Sequence, residues 1–171
     1  MADVVVINKM DSAAPEGIQM VRDNIRRVNP KAIVVDGASP IKVDNPELIT
    51  GKRCLIVEDG PTLTHGEMKI GAGTIAARKF GASEEVDARP FLVGKLKETY
   101  QIYPNIGRIL PAMGYGEQQL KDLEGTINAT DCDSVIIGTP IDLNRIIKIK
   151  KPSTRVYYDL VEIGLPDLKG V

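Results

Sequence analysis

The chain has 171 residues, of which 43% are hydrophobic, so it can bury the core of about one domain. Its 22 lysine and arginine residues nearly balance 23 acidic residues, and a net charge of -1 disfavours a general nucleic-acid binder. Two cysteines and one histidine exclude a disulfide framework and a zinc module. The apolar runs are far shorter than the ~20 residues of a membrane helix, which predicts a soluble, cytoplasmic protein without a membrane or nucleic-acid partner.

Short β-branched runs alternate with helical stretches along the chain. Strands are predicted, in order, at residues 2–7, 32–35, 53–57, 134–137 and 155–160. Helices are predicted at residues 15–28, about 72–80 and about 117–128. This alternation predicts an α/β fold with a mainly parallel sheet flanked by helices. We expect a single α/β region over 1–171, and the Pro/Gly-rich segment at about 90–116 is a candidate inserted layer.

The first predicted strand ends in a motif that favours guanine recognition. Asn8, Lys9 and Asp11 form an Asn-Lys-x-Asp tetrapeptide directly after it. A carboxylate such as that of Asp11 can accept from both the ring N–H and the exocyclic amine of guanine. The motif resembles the base-recognition element of GTPases, which implies that Asn8 bonds the base edge or tethers neighbouring loops while the Lys9 stem covers the base. An ordinary polar turn is the alternative.

A phosphate-binding loop is missing from the sequence. No Gly-x-x-x-x-Gly-Lys-Ser/Thr segment occurs, so nothing in the chain wraps nucleotide phosphates in that way. In GTPase-like folds this loop lies on an earlier strand than the base-recognition loop, and the chain begins directly at a predicted strand. We therefore expect a P-loop-NTPase-like half that lacks the P-loop, the C-terminal part of a larger protein. The missing N-terminal P-loop region would be its partner, and the fragment alone would be inactive.

A second cluster of polar residues follows the strand predicted at 53–57. Glu58, Asp59 and His65 carry carboxylates and an imidazole, which hold magnesium or transfer protons. We predict these three as catalytic residues, with Glu58 and Asp59 also as metal ligands. The hydroxyl groups of Thr62 and Thr64 are predicted to bind substrate or phosphate. An ordinary turn at the strand end is the alternative.

Glycines and cations after this cluster suit an anion. Gly71 and Gly73 open a predicted helix, where free backbone N–H groups and the helix dipole attract negative charge. Together with Lys69, Arg78 and Arg108 they are predicted to hold a phosphorylated substrate. Their match to the dinucleotide fingerprint is weak because no strand directly precedes them.

A third candidate loop follows the strand predicted at 134–137. Thr139 and Asp142 lie in this loop. In GTPase-like folds the loop after the next strand closes over the base, so both residues are predicted to help Asp11 bind the nucleotide. Helix capping is the alternative role for Asp142.

Taken together, three segments resemble the C-terminal half of cyclic 2,3-diphosphoglycerate synthetase and its predicted-GTPase relatives: residues 3–11, 58–66 and 135–143. The resemblance implies a cytoplasmic, mainly archaeal enzyme that uses ATP and Mg²⁺ to close an intramolecular phosphoanhydride. It also implies a small anionic phosphorylated substrate held by clustered cations and metal. Because the tetrapeptide at residues 8–11 suits guanine, the nucleotide is ATP or GTP.

Two other functions stay open on the sequence alone. One is a GTP-binding, GTPase-like module without synthetase activity. The other is a non-catalytic interaction domain in which the motif loops are structural. The sequence is also compatible with a homo-oligomer, whose state it does not define.

Overall fold

The structure is a computed structural model that describes residues 1–60 and 71–171. The chain divides into two compact units, one formed by Met1–Pro40 with Tyr158–Val171 and the other by Ile41–Tyr157. The fold is α/β with mixed sheets, and four α-helices lie within the described ranges. The P-loop-like character and the description as one fragment of a larger protein stay predictions.

The regular elements are numbered here in chain order. The strands are β1 Val4–Ile7, β2 Ile33–Ala38, β3 Lys42–Val43, β4 Arg53–Asp59, β5 Glu84–Glu85, β6 Leu110–Ala112, β7 Ser134–Gly138, β8 Ser153–Tyr157 and β9 Val161–Glu162. The helices are α1 Pro15–Val28, α2 Ala72–Lys79, α3 Leu96–Ile102 and α4 Glu117–Ala129. The three helices predicted from periodicity are therefore confirmed, with ends that differ by at most one residue.

The first unit contains a three-stranded sheet in the order β1-β2-β9. β1 pairs parallel with β2, and β9 pairs antiparallel with the end of β2. The amphipathic helix α1 makes the crossover that a parallel pair requires. Pro15 lies in its first turn, where a missing backbone N–H costs nothing.

The second unit contains a six-stranded sheet in the order β3-β8-β7-β4-β5. β5 pairs with the start of β4, and β6 pairs with its end. All of these pairings are parallel except that of β3 with β8. β4 is buried along most of its length, as its nearly continuous apolar sequence predicts for a central parallel strand.

Alternating side chains of β4 and β7 pack into two separate hydrophobic layers. One layer joins Leu55 and Val57 to Leu123 and Ile127 of α4. The other joins Ile56 and its neighbours to Ala76 and Ala77 of α2. Because side chains alternate across a strand, Glu58 follows Ile56 on the α2 side of the sheet.

Two expectations about the sheet are corrected. The parallel strands belong to two sheets and not to one, since β1 and β2 lie in the first unit while β4 and β7 lie in the second. The strand predicted at 155–160 ends at Tyr157, because the chain then enters the first unit and β9 pairs there with β2. The segment at about 90–116 contains α3 and β6, and β6 pairs within the six-stranded sheet.

Among residues 1–60 and 71–171, each α-helix is too short or too polar to cross a lipid bilayer.

Shortening Leu123 tests the layer beneath α4. This side chain is 2% exposed, and Leu123→Ala should lower the free energy of unfolding by about 2–5 kcal/mol through lost burial and a residual cavity. Ile102→Ala is the control, because Ile102 is 68% exposed and the same truncation should change stability by less than about 0.5 kcal/mol. Urea titration followed by circular dichroism measures both. Equal losses in the two variants would contradict the proposed core.

Candidate functional site

The carboxyl ends of β4, β6 and β7 meet at one edge of the second unit's sheet. Glu58 is in register with Gly138 of β7, and Asp59 is in register with Ala112 of β6. Ligands of open α/β sheets bind at this edge. We call the group formed by Glu58, Asp59, Gly138 and the described residues adjacent to them the strand-end site.

Glu58 is buried at the start of α2. Glu58 is only 2% exposed. Its Oε1 accepts hydrogen bonds from the Thr74 backbone N–H at 2.8 Å and from the Thr74 hydroxyl at 3.2 Å. The Gly73 backbone N–H also donates to the carboxylate. The positive end of the α2 dipole and these donors stabilise the negative charge. The carboxylate therefore occupies the position that the sequence analysis assigned to an external anion.

Burial nevertheless has the largest effect on the pKa of the Glu58 carboxyl group. Loss of solvation raises the pKa of the Glu58 carboxyl above its ordinary value, and the nearby charge of Asp59 raises this pKa further. The hydrogen bonds from Gly73 and Thr74 act in the opposite direction on the pKa. Both hydrogen bonds from Thr74 go to Oε1, so the start of α2 already occupies part of this carboxyl group.

The glycines of the site make room for Glu58. A Cβ on Gly138 would lie 2.6 Å from Glu58 Oε2 and 2.7 Å from the backbone nitrogen of Gly73. A Cβ on Gly71 would also collide with the Glu58 carboxylate. Gly71 and Gly73 thus serve the packing of an internal carboxylate in this structure, and their contact with a bound phosphate stays a prediction.

Asp59 lies on the other side of β4 from Glu58 and faces the segment after β6. Burial of Tyr115 raises the pKa of its phenol, and the nearby charge of Asp59 raises this pKa further. The two side chains are therefore close. Gly60 packs tightly there, since a Cβ on it would lie 2.7 Å from Met113 Sδ. The segment at residues 113–115 is therefore part of the strand-end site.

The two predicted nucleotide-binding residues after β7 make local contacts. The Thr139 hydroxyl, in a residue 2% exposed, donates to the Ile141 carbonyl at 2.6 Å. Asp142 Oδ1 accepts from the Asn144 backbone N–H at 3.1 Å and so caps a short 3-10 helix. The capping alternative for Asp142 is observed, and its contact with a nucleotide stays a prediction.

The tetrapeptide at residues 8–11 lies in the first unit and is held by the loop after β2. The Ser39 hydroxyl donates to Asn8 Oδ1 at 2.9 Å, and the Ser39 backbone N–H donates to Asp11 Oδ1 at 3.0 Å. Lys9 has a positive φ of 61°, a conformation that is uncommon outside glycine and often marks functional loops. Asn8 thus tethers neighbouring loops, one of the two roles that the GTPase resemblance implies for it.

Two predicted substrate-binding arginines lie away from the strand-end site. Arg78 Nε donates to Glu85 Oε1 at 3.1 Å, and Arg108 lies 3.5 Å from the Glu85 carbonyl oxygen. Glu85 pairs with Cys54 at the start of β4, about 13 Å along the strand from Glu58. These cations therefore do not come together with the carboxylates of Glu58 and Asp59 at the end of β4. Thr62, Thr64, His65 and Lys69 lie outside the described residues.

Two further residues near this sheet edge, Arg155 and Asp122, were not predicted from the sequence. Arg155 of β8 is in register with Ile137, donates from Nη2 to the Pro140 carbonyl at 2.9 Å, and has a buried Nε without an acceptor in the described part of the chain. Asp122 is 4% exposed although it is charged. Consecutive residues of a helix point about 100° apart, so the apolar period of α4 gave no signal that Asp122 is buried.

Within residues 1–60 and 71–171, no group of three or more His, Cys, Asp or Glu side chains is arranged to hold a metal ion. Mg²⁺ usually takes only one or two protein carboxylates and completes its shell with water and phosphate oxygens. Asp59 has the chemistry to be such a ligand, and the metal contact of Glu58, whose Oε1 is hydrogen-bonded to Thr74, stays a prediction.

Comparison with known proteins gives one informative match. A protein described as "Arginine synthetase ArcE", from the archaeon Thermococcus kodakarensis, is 60% identical to this chain over 170 residues. The alignment covers 99% of the chain but only 38% of the relative, so the chain spans well under half of the relative's length. No protein-family model matches the chain. The relative's name agrees in broad terms with the predicted synthetase class.

A methyl group at Gly138 tests the close packing around Glu58. Gly138→Ala should lower the free energy of unfolding by about 1–3 kcal/mol, because its Cβ meets both a carboxylate and backbone. Gly125→Ala in α4 is the matched control: its Cβ meets only Val93 at ordinary distances, and alanine should stabilise the helix by about 0.5–1 kcal/mol. In urea titrations, the free energy of unfolding should therefore fall in Gly138→Ala and rise in Gly125→Ala. A change of the same sign in both variants would contradict the close packing around Glu58.

The raised pKa of Glu58 predicts a pH-dependent stability. The folded protein binds the Glu58 proton more tightly than the unfolded chain does. The stabilisation that this proton provides is complete below about pH 4, near the pKa of glutamate in the unfolded chain. This stabilisation is lost as the pH rises through the higher pKa of Glu58 in the folded protein. Glu58→Gln removes the titration, so the stability of the wild type relative to this variant should fall with rising pH. A difference that is constant across urea titrations from about pH 4 to 8 would contradict this.

Proposed function

We propose that the protein containing this chain is a nucleotide-dependent synthetase that forms arginine, and that this chain supplies the strand-end site. The observation that carries the proposal is the 60% identity, along nearly the whole chain, to a protein described as an arginine synthetase. The sheet edge where α/β enzymes bind ligands carries Asp59 at the end of β4, and Arg155 lies on β8. These two side chains offer opposite charges to a substrate.

Each side chain has a distinct role in this proposal. Asp59 contacts the reacting atoms as a proton acceptor or as a ligand of Mg²⁺. Glu58 is a positioning residue, because it holds the start of α2 against β4 and β7. Arg155, whose buried Nε lacks an acceptor among the described residues, binds an anionic group of a reaction intermediate. His65 keeps its predicted catalytic role.

The energy source in the proposal is ATP or GTP with Mg²⁺. The metal supplies charge neutralisation on the nucleotide phosphates. The loop at residues 8–11 is held in place by Ser39, which supports a preformed base-binding site at Asn8, Lys9 and Asp11. Thr139 and Asp142, which belong to the second unit, stay separate predictions of nucleotide contact.

A second candidate is the cyclic 2,3-diphosphoglycerate synthetase reaction, favoured by the motif resemblance at residues 58–66. Its polyanionic substrate calls for clustered cations. Arg78 and Arg108, two of the cations predicted for that purpose, are instead bound to Glu85 at the other end of β4. This placement favours the arginine-forming candidate over the phosphoanhydride-forming one.

Replacing Asp59 in the complete protein tests the proposed reaction. Asp59→Asn should lower kcat for arginine formation about 100-fold or more, as expected for loss of an acid–base or metal-binding group. Glu117→Gln is the control, because Glu117 is exposed and pairs only with Lys121 on the surface of α4. Arginine is measured by amino-acid analysis with ATP and with GTP, each with and without Mg²⁺.

The outcomes separate the candidates. Wild-type kcat in Asp59→Asn would contradict the role of Asp59. Formation of a cyclic phosphoanhydride but no arginine would favour the second candidate. Stabilisation by GTP in a thermal-shift titration, without either product, would indicate a GTPase-like module. No stabilisation by either nucleotide and no product would indicate a non-catalytic interaction domain.

A further inference from the structure

A cavity lies between α3 and α4, beside the end of β6. Its volume is about 240 Å³. Its apolar lining includes Leu96, Leu123, Pro111 and Met113, of which the first three are buried. Pockets that enclose drug-sized ligands have volumes of roughly 300–1,000 Å³, so this cavity suits a smaller molecule, of amino-acid size, and does not enclose a nucleotide.

The cavity adjoins the strand-end site. Met113 lines it and also packs against Gly60, the residue that follows Asp59. Ala112, the neighbour of Met113, is in register with Asp59. A ligand in the cavity therefore lies beside the carboxyl end of β4, where the proposed chemistry takes place.

The buried wall of the cavity carries a carboxylate without a cationic partner in the described ranges. Asp122 Oδ2 accepts from the Lys95 backbone N–H at 3.0 Å, and Oδ1 accepts from Gln118 Nε2 at 2.9 Å. Both donors are neutral, and none of the ion pairs found over residues 1–60 and 71–171 includes Asp122. A carboxylate has about four acceptor sites, so Asp122 can accept further hydrogen bonds. Burial of such a charge is costly unless it is paired.

The rim of the cavity carries charges of both signs. Lys95 and Glu98 line it and are exposed. The Lys95 ammonium suits a ligand carboxylate, and Glu98 suits an ammonium group. The cavity thus has an inner anionic wall at Asp122, apolar sides, and a rim that matches a zwitterion.

We propose that this cavity is the amino-acid subsite of the synthetase and binds an α-amino acid with an unbranched side chain that ends in a cationic group, such as arginine. The assignment rests on the proposed function. Asp122 receives the cationic end group, Leu96 and Leu123 contact the methylene stem, and Lys95 receives the α-carboxylate at the rim. Nucleotide binding takes place outside this cavity.

Binding measurements on the complete protein test the assignment. Isothermal titration with L-arginine should give a Kd about tenfold or more higher for Asp122→Asn and for Lys95→Gln than for the wild type, because each loses a charge-assisted contact. Agmatine is arginine without its carboxylate. Asp122→Asn should raise the Kd of agmatine, whereas Lys95→Gln should leave this Kd at the wild-type value. Glu117→Gln and Lys121→Gln are matched controls on the exposed face of α4 and should leave both Kd values unchanged.

The results distinguish a failed subsite from a failed function. If the wild type forms and binds arginine while both cavity variants bind it equally well, the subsite lies elsewhere and only this inference is overturned. If the wild type neither forms nor binds arginine, the proposed function is wrong, and the assignment of the cavity is wrong as well. If Asp122→Asn does not fold, the exposed Lys95→Gln decides through its different effects on arginine and agmatine.

Discussion

A carboxylate buried at the start of a helix organises the carboxyl edge of the larger sheet. Placing Glu58 among apolar residues costs free energy, which the N–H groups of Gly73 and Thr74 and the α2 dipole offset only in part. The arrangement needs the space left by Gly71 and Gly138, because a Cβ at either position would meet the carboxylate. The contact thereby sets how closely α2 approaches β4 and β7. It also uses backbone donors that a bound phosphate would otherwise employ.

The placement of charge around the sheet follows from this arrangement. Anion-binding groups at the start of α2 are used internally, and Arg78 at the end of the same helix is bound to Glu85. Helix α2 is about 12 Å long, so its two ends serve different parts of the sheet. The edge carries Asp59 and Arg155, and the adjacent cavity carries Asp122. In the proposed function, this distribution matches a zwitterionic substrate better than a polyanionic one.

Local sequence patterns predicted the elements well and their partners less well. The period of α1, with Pro15 in its first turn, defines that helix without reference to the rest of the chain. The β-branched runs likewise identify the main strands. Nothing in a run such as that at residues 155–160 indicates that the chain leaves one sheet at Tyr157 and joins another at Val161, because strand pairing depends on residues far apart in sequence.

The same distinction applies to the candidate site. The sequence alone determined an α/β fold and polar loops after the main strands, since hydrophobic period and turn chemistry are local properties. Only the tertiary structure decided that Glu58 faces inward onto α2, that Arg78 and Arg108 lie at the far end of β4, and that Asp122 lines a cavity. Each of these depends on which elements pack together. Which polar residues are buried, and which distant residues lie close together, therefore define the arrangement of charge at the site.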